Sequence, residues 1–228
     1  MDSAAAGGKD GAMQLQTFPV GPFQCNCSIL GDPATGTAVV IDPGDEAEVI
    51  AEALTEAGWK LTHLLHTHAH VDHVGGTAAL QHACGGTSWL HKGDQWLAEN
   101  LATQCAMIGL PVPETPRIDR WLEEGTRVPF GGAQIETLHT PGHTPGSCCF
   151  VLRAAGRQLC FAGDTLFAGS IGRTDLWGGD SAQILSSLKG KLLALEDGTE
   201  VIAGHGAGTT IGRERRSNPF LTGAYRLE

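Results

Sequence analysis

The sequence predicts a single-domain α/β protein, a strand-rich core with helices outside and polar loops at the strand ends. Three observations carry that expectation. Short apolar runs of strand length alternate with segments of helical periodicity, glycine and proline punctuate the junctions, and polar loops from both halves of the chain complement one another. The 228 residues, 41% of them hydrophobic, suffice for one sizeable core without a second domain.

Residues 1–12 are small and polar, lacking both the apolar run of a secretory signal and the arginines of a transit peptide. They read as a disordered tail ahead of a domain spanning 13–228. Residues 15–20, 27–30 and 37–41 follow as strands, and Gly31, Asp32, Pro33 and Gly36 turn the chain between the last two. A helix is expected over 45–57, where Val49, Ile50, Ala53, Leu54 and Ala57 share one face and Gly58 stops it. Asp45 and Glu48 have the spacing of a capping box. A buried strand at 61–66 runs into a dense histidine cluster, followed by a helix at 75–84, a strand at 87–90 and one helix over 92–108. Pro111, Pro113 and Pro116 mark a surface loop rather than a linker, because the motifs on either side complete one site. The second half predicts strands at 133–138, 147–152 and 158–162, a helix at 181–195, and a strand at 200–203 that leads to another histidine.

Composition excludes several partners. A formal net charge of −10 argues against nucleic acid, whose phosphates demand a basic surface. No stretch approaches the roughly 20 apolar residues that span a bilayer, so no membrane partner is expected. The seven cysteines are odd in number and scattered; Cys25 with Cys27, and Cys148 with Cys149, have the wrong spacing for a common zinc pair. These four read as strand residues and all seven as reduced thiols, which suits a cytoplasmic protein.

The chemistry concentrates at His68-Ala69-His70-Val71-Asp72-His73, four ligand-type side chains within six residues. Burying such a cluster is costly unless a cation neutralises and orients it. Extended spacing lets His68 and His70 point the same way, while Asp72 and His73 sit where the chain turns into a helix. Three further segments repeat one grammar, in which a strand ends, glycine or proline turns the chain, and one metal-capable side chain appears. They are Pro141-Gly142-His143, Gly163-Asp164-Thr165 and Gly204-His205-Gly206. Imidazoles and carboxylates without thiolate suit zinc first, with iron and manganese as alternatives. Seven donors exceed the needs of one tetrahedral ion; two ions sharing a bridging carboxylate and a bridging water would use them all. His66 reads as a packed neighbour of the cluster, and His63, His82, His91 and His139 as structural or surface residues.

The run from Thr67 to His73, followed by the His143, Asp164 and His205 segments, resembles the metallo-β-lactamase superfamily. Ile41-Asp42-Pro43-Gly44 is similar to that family's early strand-turn element. The resemblance implies an αββα sandwich with two divalent metal ions at the edge between its sheets. It assigns His68, His70 and His143 to one ion, Asp72, His73 and His205 to the other, and Asp164 to the bridge. Within the superfamily, Gly163 to Gly169 and Thr210 to Phe220 resemble the glyoxalase II branch, the hydroxyacylglutathione hydrolases, in its compact form. Larger members add a C-terminal helical domain that grips glutathione, whereas 23 residues follow His205 here. Zinc β-lactamases commonly place a cysteine where Asp164 stands, and the superfamily's tRNA nucleases need a basic surface, so both activities are disfavoured.

The activity implied is hydrolysis of a small-molecule thioester, an S-acylglutathione such as S-lactoylglutathione, by a metal-bridging hydroxide. Asp72 and Asp164 would hold and orient that hydroxide. Arg173, in Gly172-Arg173-Thr174-Asp175, is a candidate substrate-binding residue because guanidinium pairs well with carboxylate. A glutathione persulfide dioxygenase with one iron shares most of these motifs and is the alternative; Gly204-His205-Gly206 is more similar to the hydrolases than to the His-Asp-Tyr form of the dioxygenases.

Overall fold

Two mixed six-stranded sheets pack face to face, and helices cover the outer side of each. The computed structural model describes residues 13–225, so the expected tail at 1–12 lies outside the described residues. The first sheet holds β1 (Gln14–Val20), β2 (Cys25–Asp32), β3 (Thr37–Ile41), β4 (Lys60–Leu65), β5 (Thr87–His91) and β6 (Arg120–Leu122), in that spatial order. Strands β1 to β3 form an antiparallel meander and β3 to β6 run parallel. The second sheet begins with an antiparallel meander of β7 (Arg127–Phe130), β8 (Ala133–His139), β9 (Cys148–Ala154) and β10 (Arg157–Gly163). A small hairpin follows, β11 (Leu166–Phe167) with β12 (Ser170–Ile171). The sheet then continues through β13 (Glu200–Ala203), parallel to β10, and β14 (Thr209–Thr210).

The period of two along each central strand sorts side chains into layers. Ile29, Val40 and Leu64 face outward onto Ile50 and Leu54 of α1 (Ala47–Glu56); their chain neighbours Leu30, Val39 and Leu65 face the second sheet. In the second sheet Phe150, Leu152 and Phe161 fill the space between the sheets. Cys149, Val151 and Cys160 pack outward with Ile184 and Leu188. Burial on both faces is why these strands read as continuous apolar runs. The site sits at one end of the sandwich. Strands β3, β4, β8, β10 and β13 each deliver a polar loop at their C-terminal ends, and α2 (Val71–Val74) and α3 (Thr77–Cys84) lead away from it.

Several expectations are corrected. The helix expected at 45–57 begins at Ala47, and no capping box forms: Glu46 precedes the helix at φ 49°, with no side-chain cap. Asp45 accepts a hydrogen bond from the Glu46 N–H (2.7 Å), and the Glu46 carboxylate takes the Gly21 N–H (3.1 Å) instead. The single helix expected over 92–108 is three pieces: a 3-10 turn at Lys92–Asp94, α4 (Gln95–Glu99) and α5 (Leu101–Ile108). Asn100 breaks it at φ −118°, ψ 37°. Likewise α6 (Ser181–Gly190) stops short of 195, where a separate 3-10 turn forms at Leu192–Ala194. The edge strands β6 and β7, and the terminal helices α7 (Ile211–Ser217) and α8 (Pro219–Thr222), carried no sequence expectation. All seven cysteines are unpaired.

Candidate metal centre

The structure brings together all seven side chains that the sequence nominated as metal donors. Three overlapping groups form: His68, His70 and His143; His68, His73 and Asp164; and Asp72, His73 and His205. In the first, Nδ1 of His70 lies 3.1 Å from Nε2 of His68 and 3.0 Å from Nε2 of His143. At the other end, Nε2 of His205 lies 3.3 Å from Nε2 of His73 and 3.2 Å from Oδ2 of Asp72. Asp164 stands between them, with Oδ1 at 3.4 Å from His73 Nε2 and Oδ2 at 3.6 Å from His143 Nε2.

The outer nitrogens explain how these rings are aimed. His143 donates from Nδ1 to the Arg173 carbonyl (2.8 Å), and His205 donates from Nδ1 to the Phe23 carbonyl (3.0 Å). Both bonds leave an Nε2 lone pair facing the cluster. His73 donates from Nδ1 to Asp42 Oδ2 (3.1 Å). His68 Nδ1 lies 3.1 Å from Thr67 Oγ1, whose hydroxyl donates to Asp42 Oδ2 at 2.7 Å, and the Thr67 N–H donates to Oδ1 at 2.7 Å. One buried carboxylate thus serves both ends of the cluster. Asp42 has φ 53°, a left-handed conformation uncommon outside glycine, which turns the chain sharply as β3 ends.

Two further side chains hold the histidine loop from behind. Asp94, fully buried, accepts from the Ala69 N–H (3.0 Å), the Thr144 hydroxyl (2.7 Å) and the Gly146 N–H (2.6 Å), tying the His68–His70 segment to the His143 loop. Gln104 donates to the Ala69 carbonyl (3.0 Å) and accepts from the Val71 N–H (2.9 Å), bracketing His70. Sequence reasoning missed Asp42, Thr67, Asp94 and Gln104 as positioning groups. Only the strand-ending Asp42 carried a signal. The glycines mark close approach: a Cβ on Gly204 would run into Asp164 Oδ1 and the His73 ring.

Electrostatics divide the cluster. Burial, then the neighbouring His143, pushes His70 down to about 3, and burial with His73 beside it holds His68 well below the ordinary histidine value. Both are neutral lone-pair donors. Burial also opposes charge on His73, but the Asp164 and Asp72 carboxylates outweigh it and raise His73 well above its usual value. His205 is raised, against burial, by the Asp72 hydrogen bond and by Asp164. Burial likewise works against the charge of Asp72 and Asp164, yet His73 and His205 hold both below the carboxylate range.

The donor chemistry fits divalent metal ions. Oδ1 of Asp164 is buried among imidazoles and accepts no hydrogen bond, an arrangement a cation would satisfy. Arg173 behaves differently. Its carbonyl orients His143, while its guanidinium makes a bidentate pair with Asp175 at 2.7 and 2.8 Å. Of the other histidines, His66 is buried between the Trp89 carbonyl and the Thr77 hydroxyl, His63 accepts from the Trp89 indole, and His91 stacks on His139 at 3.9 Å. His82 is exposed beside Glu114. The structural readings hold for all five.

Comparison with known proteins agrees with this geometry. A family profile described as the metallo-beta-lactamase superfamily matches residues 20–205. The chain is 43% identical to hydroxyacylglutathione hydrolase GloC of Haemophilus influenzae, over 92% of this chain and 98% of that one. Among solved structures, the BLEG-1 B3 metallo-beta-lactamase superposes with a TM-score of 0.85 at 36% identity, covering 92% of this chain and 100% of that one. TTHA1623 in a di-iron-bound form gives 0.80 at 40% identity, covering 90% and 100%. ETHE1 from Myxococcus xanthus gives 0.77 at 28% identity, covering 92% and 85%. With the αββα layering, the clustered donors and this profile in agreement, the chain belongs to the metallo-beta-lactamase superfamily.

Proposed function

We propose that the protein is a metal-dependent thioester hydrolase acting on an S-acylglutathione such as S-lactoylglutathione. The observation that carries this reading is the convergence of seven imidazole and carboxylate donors, with the two oxygens of Asp164 facing different histidines. The 43% identity to a hydroxyacylglutathione hydrolase supports the choice of bond and of thiol. In this reading His68, His70 and His143 would hold one ion, Asp72, His73 and His205 would hold the second, and Asp164 would be shared between them. Zinc is the first choice, with iron and manganese as alternatives, and the di-iron form of TTHA1623 supports keeping iron among them. Such a pair supplies water with a pKa lowered toward about 7 and a Lewis acid for the thioester carbonyl.

The chain's own residues do the rest. Asp72 and Asp164, whose oxygens face His205, His73 and His143, would orient the nucleophilic water. The hydrogen bonds from His143 and His205 to backbone carbonyls keep the rings from turning during the reaction. A thiol with a pKa of about 8.5 leaves as thiolate without obligatory protonation, so no separate general acid is required. Arg173 anchors a substrate carboxylate by exchanging it for Asp175. Both partners are more than half exposed, so the exchange costs little. The catalytic domain spans 13–228, and seven unpaired thiols support a reducing, cytoplasmic setting. Among the described residues no helix is long and apolar enough to cross a membrane.

The likeness to ETHE1 and to the iron-bound TTHA1623 leaves open a second reading, a glutathione persulfide dioxygenase with one iron. One panel separates them: metal content of the purified protein, thioester cleavage with glutathione, coenzyme A and simple thiol leaving groups, oxygen uptake with glutathione persulfide, and turnover of a chromogenic β-lactam. Two metal ions with glutathione thioester cleavage is the expected result. One iron with oxygen consumption overturns it in favour of the dioxygenase, and β-lactam turnover without thioester cleavage overturns it in favour of the activity for which BLEG-1 is named.

A further inference from the structure

On the Asp72 side of the metal centre the chain lines a half-open cavity of about 400 Å³, within the size range of small-molecule sites. Its walls come from segments far apart in sequence: Phe23 in the β1–β2 turn, Asp45 ahead of α1, Val71 and Asp72 in α2, and Leu110 and Val112 in the loop after α5. Asp72 belongs to both places, since its Oδ2 lies 3.2 Å from His205 Nε2. Phe23 also touches both, since its carbonyl accepts from His205 and the residue is part of the cavity wall.

Two properties of these walls restrict the occupant. The first is charge. Among the described residues, the only charged groups lining the cavity are Asp45 and Asp72, and no cation accompanies them. Asp72 is turned to His205 and to the ion it would hold, which leaves Asp45, and the lining offers no cation to anchor a carboxylate-bearing arm, so an uncharged arm fits these walls better. The second is apolar exposure. Phe23 is 45% exposed and Val112 58%, and a ligand lying against them removes that surface from water. The walls are also stiff. Gly21 (φ 65°) and Gln24 (φ 55°) form a tight turn closed by the Gln24 N–H to the Gly21 carbonyl at 3.1 Å, and Pro111 and Pro113 restrict the facing loop.

We infer that this cavity seats the acyl arm of the substrate, and that the preferred arm is an uncharged apolar chain or ring larger than lactoyl. The inference rests on the thioesterase reading for the bond that is cut; the fit of the cavity to an apolar group stands on the walls alone.

The test separates the two. Binding of the non-hydrolysable thioethers S-hexylglutathione and S-methylglutathione to the metal-loaded protein is measured by calorimetry, and kcat/KM is compared for S-hexanoylglutathione and S-lactoylglutathione. Burying a methylene tightens binding by about fourfold, so a hexyl preference of tenfold or more is expected in both assays. Val112→Glu, on an exposed loop, adds a third carboxylate to the wall, and Leu110→Ala removes apolar surface. Each is expected to lower the hexyl-to-methyl ratio at least fivefold with metal content unchanged. Equal binding of the two thioethers, binding of neither, or a preference that survives both variants overturns the inference. A hexyl preference without any thioester cleavage upholds the cavity assignment and removes the thioesterase; cleavage without length preference does the reverse.

Discussion

The Asp42 carboxylate lies 3.1 Å from Nδ1 of His73, and its oxygens are otherwise occupied by the amide and hydroxyl of Thr67, the residue that precedes His68. A buried acid contributed by β3 therefore sets ring orientation for imidazoles contributed by the loop after β4. Partners of this kind raise the basicity of a ligating histidine and fix its tautomer.

Asp42→Ala is expected to lower metal affinity by about ten- to hundredfold, the range typical of lost outer partners. Competition with a chromophoric chelator measures it. Affinity equal to that of the parent protein would show that Asp42 only closes the turn.

Asp164→Ala is expected to lose both metal retention and turnover, because its two oxygens face His73 and His143 at once. Elemental analysis on the variant and the parent checks this. A variant that still carries two ions per chain and turns over normally removes the bridging role.

Gly204→Ala tests the close approach at the end of β13. The added methyl meets Asp164 Oδ1 and the His73 ring, so one of them must move. Turnover is expected to fall by roughly a hundredfold, the cost of about 1 Å of misplacement. Ala203 lies in the strand just before it, and Ala203→Gly leaves the site uncrowded as a control.

The pKa of His73 is raised well above the ordinary histidine value and that of His205 is raised, so without a competing metal ion both rings keep their protons to higher pH than a free imidazole. Metal binding then displaces those protons, and affinity must rise with pH until the raised values are passed. The expected slope is about tenfold per pH unit for each proton displaced. Zinc affinities at pH 6, 7 and 8 decide the matter, and a flat profile would contradict the shifts. In the metal-free fold the same two shifts stabilise below the ordinary histidine value of about 6.5. That contribution is lost as pH rises through the raised values.

Asp94→Ala leaves three buried donors, on Ala69, Thr144 and Gly146, without their acceptor. At about 1–3 kcal/mol for an unsatisfied buried group, a loss of roughly 2–5 kcal/mol is expected in urea unfolding of the metal-free protein. A loss under about 1 kcal/mol would indicate that water replaces the carboxylate.

The strands β1, β3, β8 and β13 and the seven side chains that cluster were legible in the sequence because each rests on local chemistry: apolar alternation, turn residues, and ligand-type side chains at strand ends. What could not be read depends on tertiary partners. Asp45 and Glu48 have capping-box spacing, but Glu46 is drawn to the Gly21 amide and the helix starts two residues later than expected. The break at Asn100 divides a continuous helical pattern so that Gln104 can reach back to Ala69 and Val71. Asp94 looks like any surface acid until the His143 loop folds over it. Arg173 stands beside its future partner Asp175 in the chain, yet only the fold shows that its carbonyl, rather than its charge, touches the histidine cluster.

Because His68, His70, Asp72 and His73 follow β4 while His143, Asp164 and His205 follow β8, β10 and β13, neither sheet alone carries any of the three groups in full. The first sheet by itself offers one part of each group, and the Cys148 N–H to the Thr67 carbonyl is one of the bonds that joins the two halves. The cluster is in that sense a product of the whole sandwich: a change far from the histidines that loosens one sheet on the other also loosens the cluster.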